Sequence, residues 1–101
     1  MTASLPVRVS PRAAAQIERA AAWWSENRPS APGAIRADVA EILAILAVQP
    51  GIGAPARRGR AKGVRRASLS RIQYNLYYRV SSGALEVLAF WHMSRDRQPY
   101  T

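Results

Sequence analysis

Apolar positions in the first half of the chain recur at helical spacing, and those in the second half alternate as in strands. Residues 5–9 are short, β-branched and partly alternating, which predicts a strand. The strand stops at Ser10-Pro11, where Ser10 can cap a helix and Pro11 can occupy its first turn. From there to Asn27 the chain is rich in alanine, and Ala13, Ile17, Ala20, Ala21 and Trp24 share one helical face. Arg28-Pro29-Ser30 breaks this helix, and a second is expected to begin at Ser30 or Ala31 with Pro32. Its Ile35, Val39, Ile42, Leu43 and Leu46 form the apolar stripe, and Pro50-Gly51-Ile52-Gly53 ends it. A break this short makes an antiparallel helical hairpin the natural arrangement.

After a Gly-, Pro- and Arg-rich connection over residues 51–63, strands are predicted at residues 64–69, 74–80 and 84–92. Ser81-Ser82-Gly83 supplies a tight turn between the last two. Tyr74, Leu76, Tyr78 and Val80 alternate with Asn75, Tyr77 and Arg79, while Leu85, Val87, Ala89 and Trp91 alternate with Glu86, Leu88, Phe90 and His92. Both faces carry apolar or aromatic bulk, so these two strands belong in the interior of a sheet. The expected order is β-α-α-β-β-β: one α+β domain over residues 1–101, with a helical hairpin packed on one face of a mostly antiparallel sheet.

Length and composition agree with that reading. A chain of 101 residues, 49% of them hydrophobic, suffices for one core and not two. With no cysteine, disulfide staples and thiolate metal sites are excluded, and a reducing cytoplasm is the expected location. No apolar run approaches the ~20 residues of a membrane span, and residues 1–9 lack the plan of a signal peptide, so no membrane association is expected. Nothing resembles a phosphate-binding glycine loop, a pair of catalytic carboxylates or a metal-ligand cluster, so no cofactor or metal is expected. Glu18, Glu26, Asp38 and Glu41 stand at helical spacings and read as a solvated face.

Charge changes the picture more. Fifteen Lys and Arg against six Asp and Glu give a net charge of +9. Arg57, Arg58, Arg60, Lys62, Arg65, Arg66 and Arg71 occupy a stretch with no acidic residue. Such a field attracts a polyanion or an acidic protein surface. The alternative is a solvated basic loop, but a run of like charge repels itself unless a partner neutralises it.

Several fragments then fall in a familiar order. They are the first strand running into Ser10-Pro11, the helical pair ending in Leu46-Ala47 and Pro50-Gly51-Ile52-Gly53, then Gly63-Val64-Arg65-Arg66, Tyr77-Tyr78-Arg79-Val80, Leu85-Glu86-Val87-Leu88 and His92 with Arg95-Asp96. Together they resemble the RelE/ParE superfamily of toxins from type II toxin–antitoxin systems, the plasmid-stabilisation class, over nearly the whole chain. The resemblance implies a growth-arresting toxin held in a hetero-oligomer by a cognate antitoxin. RelE-type relatives cleave messenger RNA on the ribosome with basic side chains and a carboxyl-terminal tyrosine or histidine. ParE-type relatives poison DNA gyrase and need no catalysis of their own.

The residues favour the ParE branch. Ribonuclease members carry an arginine where this chain has Asn75, which removes a phosphate clamp. Arg95, His92 and Tyr100 would be the catalytic candidates of a ribonuclease, but the set is incomplete. Pro50-Gly51-Ile52-Gly53, Arg65-Arg66, Tyr78-Arg79-Val80 and His92 resemble ParE members more closely. His92 also reads as a partly buried structural residue, although an unperturbed pKa of about 6.5 suits acid–base work. Arg65, Arg66, Arg79 and Arg95 are the expected target-binding residues, because the chain has too few acids to neutralise them internally. Trp23 and Trp24 are adjacent on a helix and cannot both enter one core. Trp24 shares the stripe of Ile17, so Trp23 is expected at the surface, under an antitoxin segment or in a self-contact. A non-toxic nucleic-acid-binding module would share the positive field, and would bind DNA with steep salt dependence.

Overall fold

The computed structural model describes residues 4–56 and 61–95, the side chain of Arg95 excepted. Strand β1 (Val7–Val9) leads into α1 (Pro11–Asn27) and α2 (Ala34–Val48). A 3-10 turn (Pro50–Ile52) follows, then β2 (Ala54–Pro55), β3 (Arg65–Leu69), β4 (Tyr74–Ser81), β5 (Ala84–His92) and a closing 3-10 turn (Met93–Arg95). The five strands form one sheet in the order β1-β5-β4-β3-β2, antiparallel except where β1 runs parallel to β5. This is the α+β arrangement expected from the sequence.

Ser10 explains how strand passes to helix. Its backbone is extended and its Oγ accepts the Ala13 N–H at 3.1 Å, satisfying one of the free donors of the first turn. Its own N–H donates to the Val87 carbonyl at 3.0 Å and its hydroxyl to the Leu88 carbonyl at 3.3 Å. One residue therefore starts α1 and ties its entry to β5. Beyond that point β1 no longer covers the edge of β5, and the buried Gln16 of α1 replaces it: its Oε1 accepts the Phe90 N–H at 2.8 Å.

The second helix begins later than expected, at Ala34. The residues between use their polar groups in successive tight turns, with the Ala31 N–H donating to Arg28 and the Ala34 N–H to Ala31. Gly33 at the N-cap offers no side-chain acceptor, so nothing holds an earlier start. The acidic positions also differ from a freely solvated face. Asp38 has a side chain only 15% exposed and is held by Arg71, bonded to Nε at 3.0 Å and also to Nη2. Glu18 pairs with Arg36 from the neighbouring helix. That contact holds the Glu18 carboxyl below the usual range through its hydrogen bond.

In the sheet, the simple alternation expected for β5 breaks. Tyr78 pairs with Val87 but Tyr77 pairs with Ala89, so Leu88 is an extra residue, a β-bulge. Leu85, Val87 and Phe90 consequently face the helices, packed with Leu76, Tyr78, Ile35 and Leu46. Ala89 turns to the opposite face with Tyr77 and Val64, where Ala56, Ala61 and Trp91 pack over it. The β4–β5 turn places Ser82 at φ 53° and Gly83 at φ 72°, both central residues left-handed as a two-residue hairpin turn requires. The connection of residues 51–63 contains β2, a two-residue edge strand whose Pro55 costs no ladder bond on its free side.

Candidate functional site

The sheet carries two basic regions, one at each end of β4. At the end near Arg79, the chain leaving α2 wraps against β3 and β4. The buried Tyr78 hydroxyl donates to the Pro50 carbonyl at 2.7 Å and accepts the Gly53 N–H at 3.0 Å. Burial raises the pKa of this hydroxyl above its ordinary value, opposed by the Gly53 hydrogen bond and the Arg65 charge. Gly53 approaches so closely that a Cβ there would lie 2.4 Å from the Tyr78 oxygen, which accounts for glycine at this position. Its carbonyl accepts Arg65 Nη1 at 2.7 Å.

Arg65 is thus oriented by a backbone carbonyl, with no carboxylate partner among the described residues. It lines a shallow pocket of about 250 Å³ together with Arg79, Pro50, Gly51 and Gly63. Arg79 differs from expectation, because its Nε is 2.9 Å from Glu86 directly across the strand pair, an internal neutralisation. Arg66 is registered with Tyr77 while Arg65 is registered with Tyr78, so the adjacent arginines leave opposite faces of β3. Of the four arginines singled out in the sequence, the structure brings Arg65 and Arg79 to one pocket and separates Arg66 from Arg65. The side chain of Arg95 and all of Tyr100 lie outside the described residues, as do Arg57, Arg58 and Arg60.

The other region was only half visible in the sequence. A cleft of about 700 Å³ runs between the second half of α1 and the ends of β4 and β5. Arg19, Trp23, Trp24 and Arg28 line it from the helix, and Arg71, Tyr74, Phe90, Trp91 and His92 from the sheet side. All three tryptophans of the chain border it, and among the described residues no Asp or Glu does. Trp23 is 49% exposed, in keeping with its place outside the α1 stripe. The Arg28 guanidinium sits over both indoles, 5.2 Å from the Trp23 ring and 5.7 Å from Trp24. The Trp24 indole N–H is buried without an acceptor among the described residues. His92 is half-buried, meets Tyr74 edge-on and contacts the Ser94 hydroxyl through Nδ1 at 2.7 Å. Tyr74 in turn stacks flat on Phe90 at 4.5 Å. The sequence signal for this cleft was the Trp23-Trp24 pair; the bulge at Leu88, which turns Phe90 toward it, has no such signal.

Asn75 is 4% exposed and its Oδ1 accepts the Ser68 hydroxyl at 2.8 Å. Among the described residues no group of three or more His, Cys, Asp or Glu could hold a metal ion, and no helix is long and apolar enough to cross a membrane.

A family model described as "ParE toxin of type II toxin-antitoxin system, parDE" matches residues 7–97. This chain belongs to the ParE toxin family. Among solved structures, a chain of the chromosomal ParDE TA system from P. aeruginosa superimposes with a TM-score of 0.71 at 20% identity, covering 88% of this chain and 96% of that one. That likeness establishes a shared fold. No curated protein matches the chain significantly. The ParE match agrees with the branch that Pro50-Gly51-Ile52-Gly53 and Asn75 favoured.

Proposed function

We propose that this ParE-family toxin acts in the cytoplasm, arrests growth by inhibiting DNA gyrase, and is neutralised by a cognate antitoxin. The observation that carries the choice of target is Asn75. At the position of the ribonuclease cation it presents a neutral amide, buried and engaged by Ser68, which supports the gyrase branch over ribosomal message cleavage. Arg65, Arg66, Arg79 and Arg95 remain the target-binding candidates. Arg65 is the best prepared of those described, since its guanidinium is fixed by the Gly53 carbonyl yet keeps its full charge toward the pocket.

The test is a supercoiling assay with purified gyrase, beside sequencing of messages after induced expression. The expected result is dose-dependent loss of supercoiling with intact messages, weakened by about tenfold or more in an Arg65→Ala/Arg79→Ala variant. Full supercoiling accompanied by codon-periodic cleavage would overturn the proposal and establish the ribonuclease reading.

A further inference from the structure

We infer that His92 is a positioning residue: as a neutral imidazole with its proton on Nε2 it caps the turn Met93–Arg95, and a second proton releases that turn and with it the backbone of Arg95. The backbone donors at the end of β5 carry the argument. β4 begins at Tyr74, which is registered with His92, so it offers no ladder partner past that point. The Met93 N–H is taken at 2.8 Å by the carbonyl of Gln73, whose backbone is left-handed at φ 65° in the turn before β4. The next donor, the Ser94 N–H, meets His92 Nδ1 at 3.0 Å, and the Ser94 hydroxyl meets the same nitrogen at 2.7 Å. A backbone N–H can only donate, so Nδ1 presents its lone pair and the ring proton is on Nε2. A side chain that accepts the N–H two residues on is the device by which Asn and Asp close local turns, and here an imidazole supplies it.

Protonation of the ring fills that lone pair. Nδ1 then carries an N–H aimed at the Ser94 N–H, so one bond is lost and two donors oppose each other. The ring has a second hold, its edge-on contact with Tyr74 at 5.0 Å, and Tyr74 lies flat on the buried Phe90. The imidazole therefore stays against the sheet, and the turn is the part that gives way. The charged and titratable side chains that line the cleft with His92 are Arg19 and Arg28 from α1, Arg71 from the turn before β4, and Tyr74 from β4. Arg71 is engaged by Asp38, and no guanidinium can accept a proton-bearing nitrogen, so these arginines give an imidazolium no replacement for the Ser94 bond. The consequence for function rests on the reading of Arg95 as a target-binding residue. Its backbone leaves β5 through this turn, so the cap decides the direction in which the chain carries it.

His92 is the only histidine of the chain, so its ring signals are read without ambiguity in a nitrogen-15 NMR titration of the full protein. The expected result is an Nε2–H tautomer for the neutral ring, a Ser94 amide shift that follows the imidazole titration with the same midpoint, and backbone order at residues 94–95 that falls as the ring is protonated. His92→Asn keeps an acceptor for the Ser94 N–H and cannot titrate, so its turn should stay ordered at about pH 5.5 and about pH 8, either side of the ordinary imidazole pKa of about 6.5. His92→Phe keeps a ring for Tyr74 without the acceptor, so its turn should be loose at both. In supercoiling assays at about pH 8, His92→Phe should inhibit gyrase roughly three- to tenfold less well than the parent, and His92→Asn within about twofold of it. Lowering the pH should weaken the parent relative to His92→Asn, a ratio in which the titration of gyrase itself cancels. Circular dichroism checks that both variants fold. A neutral ring protonated on Nδ1, or a Ser94 amide that ignores the imidazole titration, overturns the cap whatever the target. A cap that behaves as expected while His92→Phe inhibits like the parent overturns its role in presenting Arg95. If the parent leaves gyrase unaffected, the functional half falls with the proposed target, and the tautomer and the Ser94 titration still decide the cap.

Discussion

Replacing Tyr78 by phenylalanine tests how the corner that presents Arg65 is held. The ring is fully buried among Leu76, Val87 and Leu46 and would stay in place, so the change removes only the hydroxyl. That hydroxyl both donates to Pro50 and accepts from Gly53, and a stranded buried polar group costs ~1–3 kcal/mol. A loss of about 2 kcal/mol is expected, or roughly 8–16 °C in Tm at ~4–8 °C per kcal/mol for a domain of this size. The pH dependence gives a second, independent sign. Burial raises the folded-state pKa of Tyr78 above 10.0, so the folded protein keeps this proton longer than the unfolded chain does. Its contribution is therefore full below pH 10 and is lost as pH rises from there through the folded value. The variant cannot titrate at this position, so the stability gap between the two proteins should narrow above pH 10. Urea unfolding followed by tryptophan fluorescence, at pH 7 and above pH 10, measures both effects. A gap under about 0.5 kcal/mol at pH 7, or one that widens in alkali, refutes the argument.

Three further substitutions probe other joints of the fold. Gln16→Leu keeps the bulk of the side chain but strands the Phe90 N–H, and should cost ~1–3 kcal/mol, with faster hydrogen exchange at the Phe90 amide as the local check. Gly83→Ala places a Cβ at φ 72° and should destabilise by ~1–2 kcal/mol, whereas Ser82→Asn, better suited to φ 53°, should stabilise by a few tenths; thermal melts of the pair give opposite shifts. Asp38→Ala removes the partner of a largely exposed Arg71, so its cost should stay within ~1 kcal/mol and shrink in high salt, as denaturant titrations at two ionic strengths would show.

Elements whose information is local were legible in the sequence. Ser10-Pro11 marks the start of α1 because capping needs only a neighbouring hydroxyl and a preset φ, and α1 and β5 begin and end where their patterns do. Ser82-Gly83 marks the hairpin for the same reason. What escaped depends on distant partners. The bulge at Leu88 exists because Tyr77 and Tyr78 of another strand pair around it, and a single-strand pattern carries no trace of that. Strand β2 is two residues long, too short for any period, and is defined by its pairing with Arg65 and Arg66. For the site, Trp23 was placed at the surface by helix geometry alone, while the splitting of Arg65 from Arg66 follows from strand alternation that the Arg-Arg pair itself obscures.

A net charge does not say which cations are available; their pairings do. Among the arginines, Arg36, Arg71 and Arg79 each hold a carboxylate, of Glu18, Asp38 and Glu86. Those three contacts consume half the acidic side chains of the chain, and each joins elements distant in sequence or strands across a hairpin. The acids therefore serve to pin helix to helix, helix to turn and strand to strand. Arg65 at one end of the sheet and Arg19 and Arg28 at the other keep their charge, the first fixed by a backbone carbonyl and the last by indole faces. A guanidinium oriented by a neutral group loses conformational freedom without losing field, so an anionic partner meets it already positioned. Arg65 in the arginine pocket and Arg28 in the aromatic cleft are positioned in this way.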